Sequence, residues 1–212
     1  MWHLGRRECG RSPVAPPRQA AILPAPDFPR LVEHNPPVAS ALLLICLSYA
    51  DPSDPSHEHV LARGAARLQF DRLLNSLVET GSVSLQSMEV VNKVIAANSG
   101  ADGPAAAPGL PPGFLRAYVL GIIENTRGMS NASLRHRFVR LVCIFLNSIV
   151  RHAPAPPSPD RVDAAPPTHV ARALSSAFGA GADEVLEEVV GFCIEHSRIK
   201  EAAELFRALK SR

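Results

Sequence analysis

Lysine is almost missing from this chain of 212 residues, where Lys93, Lys200 and Lys210 stand beside 19 arginines. With abundant alanine and 20 prolines, the bias reads as one of coding and carries little chemistry. Charge of one sign is lacking as well: 22 basic and 20 acidic residues give a formal net charge of +2. That balance excludes a chain built mainly to coat nucleic acid, whose usual footprint is a strongly basic domain. Aromatic residues make up 5% of the chain, which leaves few rings on which single-stranded bases could stack. The longest apolar run, Val38 to Tyr49, is well short of the ~20 residues that cross a bilayer. No apolar stretch of the secretory kind occurs from Met1 to Ala21, and the prolines there would break the amphipathic helix of a mitochondrial presequence. A reducing, soluble compartment without membrane contact is therefore expected.

Catalytic and cofactor signatures are also wanting. Cys9, Cys46, Cys143 and Cys193 lie 37, 97 and 50 positions apart, a spacing of neither a zinc site nor a disulfide framework. His57-Glu58-His59 places its histidines on different sides of a helix, unlike the i, i+4 pair of a zinc helix. No Gly-rich loop joins a strand to a helix, so phosphate cradling is unsupported. Cys143 falls inside an apolar helical pattern, where a thiol packs as a small hydrophobe and is no nucleophile. The acids following Asp183 have no partner placed to make a general acid/base pair. The expectation is a protein with no cofactor, no metal and no enzymatic activity.

What is present is helical periodicity. With 46% hydrophobic side chains the composition is that of a folding chain of one domain. No run alternates with the two-residue period of a sheet. The pattern predicts an all-α fold, a compact bundle of about six or seven helices occupying residues 28–212. A disordered Pro/Arg-rich tail precedes it over 1–27, and Pro/Gly-rich insertions interrupt it at 99–109 and 153–167.

Asn35 is expected to cap a first helix that opens on Pro36-Pro37 and ends near Tyr49. A second, from about Glu58 to Glu79, would turn Leu61, Leu68, Leu73, Leu74, Leu77 and Val78 inward, with Gly64 able to divide it and Gly81 as its stop. Ser84 can cap a third with Met88, Val91, Val94 and Ile95 on one stripe. A fourth runs roughly from Gly113 to Arg127, and a fifth from Ser133 to Arg151, after Asn131-Ala132-Ser133, read as a helix-start signal. A short helix over about Thr168 to Phe178 precedes a C-terminal pair, the first capped by Asp183 and the two separated near Ser197.

The fifth helix is the informative one. Leu134, Phe138, Leu141, Val142, Cys143, Phe145, Leu146, Ile149 and Val150 cover about 200° of it, wide enough for several packing partners. The remaining arc holds His136, Arg137, Arg140, Asn147, Ser148 and Arg151 around Ile144, with cations and no acid. Pairing of the arginines with Glu124, Glu195 or another acid would be structural; otherwise the strip Arg137, Arg140, Ile144, Arg151 is a partner-binding surface, with Arg198 and Lys200 as a second candidate.

Five blocks in order carry a resemblance: Phe28 to Pro36, Ser84 to Asn92, Leu110 to Phe114, Arg137 to Leu146, and Phe192 to Arg207. Together they resemble the C-terminal domain of the eleventh subunit of the Ccr-Not mRNA deadenylase complex, over residues 28–50 and 72–209. The resemblance implies an all-helical, non-catalytic adaptor acting in poly(A) tail shortening and mRNA decay, in the cytoplasm and with a nuclear pool. Its implied partners are other Ccr-Not subunits, namely the tenth subunit and the Not scaffold, and recruited regulators. The chain departs from the family pattern in having only 27 residues before the first block, too few for the N-terminal scaffold-docking region. The alternative is an RNA-contacting helical module using Arg137, Arg140 and Arg151.

Overall fold

The computed structural model describes residues 24–50, 60–81, 83–98, 109–152, 173–174, 177–179 and 181–210. Met1 to Leu23, Cys9 and the His57-Glu58-His59 pair, and almost all of both insertions, lie outside the described residues.

Among the described residues eight α-helices occur and no strand. They are α1 (Phe28–His34), α2 (Pro36–Tyr49), α3 (Val60–Glu79), α4 (Leu85–Asn98), α5 (Phe114–Gly128), α6 (Ala132–His152), α7 (Ala182–Glu195) and α8 (Lys200–Lys210). The all-α bundle is as the periodicity predicts. The helix it does not anticipate is α1, which has Pro29 in its first turn, where the missing N–H would be unpaired anyway.

Local chemistry sets most boundaries. Asn35 Oδ1 accepts from Val38 N–H at 3.3 Å and caps α2 ahead of Pro36 and Pro37. Ser84 and Ser87 cap α4 reciprocally, Ser84 Oγ accepting from Ser87 N–H at 3.1 Å and Ser87 Oγ from Ser84 N–H at 2.9 Å. Asn131 Oδ1 accepts from Ser133 and Leu134 N–H at 3.0 and 3.1 Å, so this tripeptide does open α6. The start of α7 differs from expectation: Gly181, with φ of +81°, is the cap, and Asp183 sits inside the first turn. A left-handed cap suits glycine better than aspartate, and Asp183 and Glu184 act instead on the positive end of the helix.

One core runs through the bundle, from Phe28, Leu43 and Phe70 at one side to Phe192 and Leu205 at the other. Helices α2, α3 and α4 pack together with α1, while α6 packs against α4, α5 and α8, and α5 also meets α7. Tyr118 lies at the junction, stacked on Phe114 at 5.6 Å and edge-on to Phe145 at 5.9 Å.

The inward set of α3 needs correction. Leu73, Leu74 and Leu77 are buried with Phe70, but Leu68 faces solvent, and the Leu61 side chain lies outside those described. At about 100° per residue, Leu68 stands nearly opposite Phe70. Gly64 leaves α3 continuous. In α6, Val139 joins the buried arc, whereas Leu134 at its first turn is exposed.

Candidate protein-docking groove

The broad apolar arc of α6 is covered by α4, α5 and α8, and this burial fixes the rotation of the helix. Its opposite strip is thereby presented to solvent. Relative to Ile144, Arg137, Arg140 and Arg151 all fall within an arc of about 60°, at offsets of seven, four and seven residues. Arg137, Arg140 and Arg151 are exposed, and Ile144 is 55% exposed. The strip expected from the sequence therefore exists as a surface.

It borders a groove between α4, α6 and α8 with a volume of about 460 Å³. Leu85, Met88, Leu141, Ile144 and Phe145 make its apolar lining, and Arg151, Glu89, Glu201 and Glu204 its charged rim. Inside it Ser148 Oγ donates to Asn92 Oδ1 at 2.5 Å.

Folding supplies the acid that the strip lacks in sequence. Arg140 brings Nε and Nη2 each to 2.8 Å from Glu201 Oε1 on α8. The Glu201 carboxyl is held below the usual range by a hydrogen bond from its own backbone and then by Arg140. Glu89 is matched by Lys93 at 2.8 Å, and Glu204 by Lys200 at 3.8 Å. Each acid of the groove thus faces a base of this chain. Arg137 and Arg151 have no ion pair among the described residues. Glu195, considered as a partner for α6, is instead held with Glu188 by Arg127, both at 2.8 Å.

Lys200, through Glu204, adjoins the same groove from α8, so part of the second candidate patch merges with the first. Arg198 is exposed in the turn between α7 and α8 and is absent from the lining. Leu85 is the missed contributor: 51% exposed and beside Ile144's groove, it belongs to α4's first turn and lies off that helix's buried stripe. A second exposed feature escaped the sequence reading. Val38, Ile45 and Tyr49 are exposed along α2, a helix without any charged residue.

No group of three or more His, Cys, Asp or Glu among the described residues could hold a metal ion. Cys143 and Cys193 are fully buried, and burial pushes both thiols up to about 12. No described helix is long and apolar enough to cross a membrane. The groove offers apolar contact and, at Arg151 and bordering Arg137, positive charge that has no ion pair among the described residues.

The comparison with known proteins decides the family. Residues 32–160 match the sequence model of CCR4-NOT transcription complex subunit 11. The chain belongs to this family. CCR4-NOT transcription complex subunit 11 of Dictyostelium discoideum is 26% identical over 183 residues, covering 86% of this chain and 20% of that protein. The chain thus spans about a fifth of the length of that subunit 11 relative. The family match takes in α2 to α6, and so two of the three helices that wall the groove.

Proposed function

We propose that this chain is a non-catalytic adaptor subunit of the CCR4-NOT complex, presenting protein partners to the machinery that shortens mRNA poly(A) tails and so promotes mRNA decay. Membership of the subunit 11 family supports the assignment to the complex. The single observation that carries the adaptor role is Ile144, 55% exposed on a helix that is otherwise a packing centre and set between arginines. An apolar anchor ringed by polar groups is the arrangement of interface hot spots. The partners proposed are other subunits of the complex, the tenth subunit and the Not scaffold among them, and recruited regulators. Action in the cytoplasm, with a nuclear pool, belongs to the same reading.

Affinity purification of the tagged full chain, with identification of bound proteins, tests this. CCR4-NOT subunits should be enriched over a control bait. Their absence, or poly(A) shortening by the purified chain alone, overturns it.

A second reading has one observation in its favour, the lack of an ion pair at Arg137 and Arg151 among the described residues, which leaves them open to phosphates. An RNA-binding strip would show affinity that falls steeply with salt. The apolar centre at Ile144 and the shortage of aromatics favour protein.

A further inference from the structure

We infer that the groove between α4, α6 and α8 takes an amphipathic helical segment of a protein partner, whose apolar anchor enters between Leu85 and Ile144 and whose acids meet Arg137 and Arg151. This rests on the adaptor reading and gives its site an occupant of defined chemistry.

The charge inventory selects acids. Glu89, Glu201 and Glu204 are each matched by Lys93, Arg140 and Lys200 of this chain, so a partner's lysine or arginine finds no free carboxylate there. Arg137 and Arg151 remain, seven residues to either side of Ile144 and on its face of α6. Their Cα atoms are separated by fourteen helical steps, about 21 Å.

Backbone chemistry selects a helix. An extended peptide gains affinity by adding to a sheet edge, and the described residues contain no strand. A Pro-rich ligand needs an aromatic-lined groove, whereas Phe145 is the one ring among the lining residues. A helix satisfies its own N–H and C=O groups and needs from the groove only apolar area and charges at its ends. A second helix laid along α6 would meet both arginines with acids about fourteen residues apart and an apolar side chain midway.

The test is selection of random 18-residue peptides displayed on phage against the full chain, followed by anisotropy titrations of the enriched peptides. Enriched peptides should carry acids flanking an apolar pair at helical spacing. Ile144→Asp should weaken them by about tenfold or more, and the double variant Arg137→Glu, Arg151→Glu should do the same while accepting peptides with lysine in place of the acids. Ile45→Asp, on the exposed face of α2, should leave affinity unchanged. Circular dichroism verifies that each variant is folded, and the arginine reversals at exposed positions keep the test intact if Ile144→Asp is not. Absence of any enriched peptide, enrichment of basic ones, or equal losses from Ile45→Asp overturn the inference. So does displacement of the peptides by oligoadenylate, which assigns the groove to RNA. Recovery of CCR4-NOT subunits by the parent chain, alongside absence of any enriched peptide, removes the groove's occupant and leaves the adaptor reading standing.

Discussion

Arg140 on α6 and Glu201 on α8 are joined through a single carboxylate oxygen, with both Nε and Nη2 of the arginine at 2.8 Å. The contact ties the groove's two walls together across 61 residues of chain. It also separates the arginines of the strip into two kinds. Arg140 has a structural partner, while Arg137 and Arg151 face outward without one among the described residues.

Charge reversal should expose that difference. Arg137→Glu is expected to change stability by no more than about 0.5 kcal/mol, as for other solvent-facing substitutions. Arg140→Glu sets two carboxylates against each other and should lower the melting temperature measurably. Thermal unfolding of the two single variants at low salt decides it, and equal effects would mean that the pair is absent in solution.

The same pair predicts an acid dependence. Because the Glu201 carboxyl lies below its usual value near 4.5, its contribution is present above that value and disappears as pH falls through the lowered folded-state value. Glu201→Gln should therefore flatten the stability profile below pH 4.5. Denaturant titrations of the variant and the parent chain across that range provide the check.

His196 acts in a higher window. Its ring stands edge-on to Phe192 at 4.9 Å, and its buried Nε2 has no hydrogen-bond partner among the described residues. Burial lowers its proton affinity from the usual value near 6.5, with Glu195 opposing and Arg135, Arg127 and His136 reinforcing the shift. The unfolded chain then binds the proton more readily, so stability is full above pH 6.5 and falls as pH drops below it. His196→Phe should remove that slope, as read from melting temperatures between pH 7.5 and 5.

Tyr118 connects α5 to the cap of α4. Its hydroxyl lies 2.8 Å from Ser87 Oγ, which also accepts from Ser84 N–H at 2.9 Å. Tyr118→Phe keeps the ring stacking and leaves Ser87 its Ser84 contact, so the cost should be about 1 kcal/mol. Loss of the whole ring in Tyr118→Ala should cost about 3–5 kcal/mol. Urea denaturation measures both.

Much of this architecture was legible because it is local. Asn35, Ser84 and Asn131 announce helix starts through hydrogen bonds that span three residues, and the stripe of Met88, Val91, Val94 and Ile95 needs only helical geometry. Gly181 was hidden because a left-handed cap depends on the turn before it, and Asp183 carried the stronger local preference. Leu68 was misplaced because a leucine signals burial by type, while its direction is set by the helix phase fixed at Phe70 and Leu73. At the groove, Arg137, Ile144 and Arg151 were readable from α6 alone. Glu201 and Leu85 were not, since they reach the groove on α8 and α4 and only packing brings three helices together.

The cysteines supply a final measurement of how tightly that packing closes. Cys46, Cys143 and Cys193 are free and buried, and their thiol values are raised chiefly by desolvation. For Cys143 and Cys193, at about 12, the thiolate at pH 8 amounts to about one part in ten thousand. Attack by an alkylating reagent must therefore wait for local or global opening of the α6–α7–α8 region. Iodoacetamide at pH 8, followed by peptide mass analysis, should modify these cysteines no faster than the folded chain opens and all three promptly in urea. Val142→Ala, which cuts a fully buried side chain next to Cys143, should accelerate labelling of Cys143 by lowering the opening free energy. Rapid labelling of Cys143 in the intact chain at native pH would show that α6 is loosely held and that its outward strip has no fixed orientation.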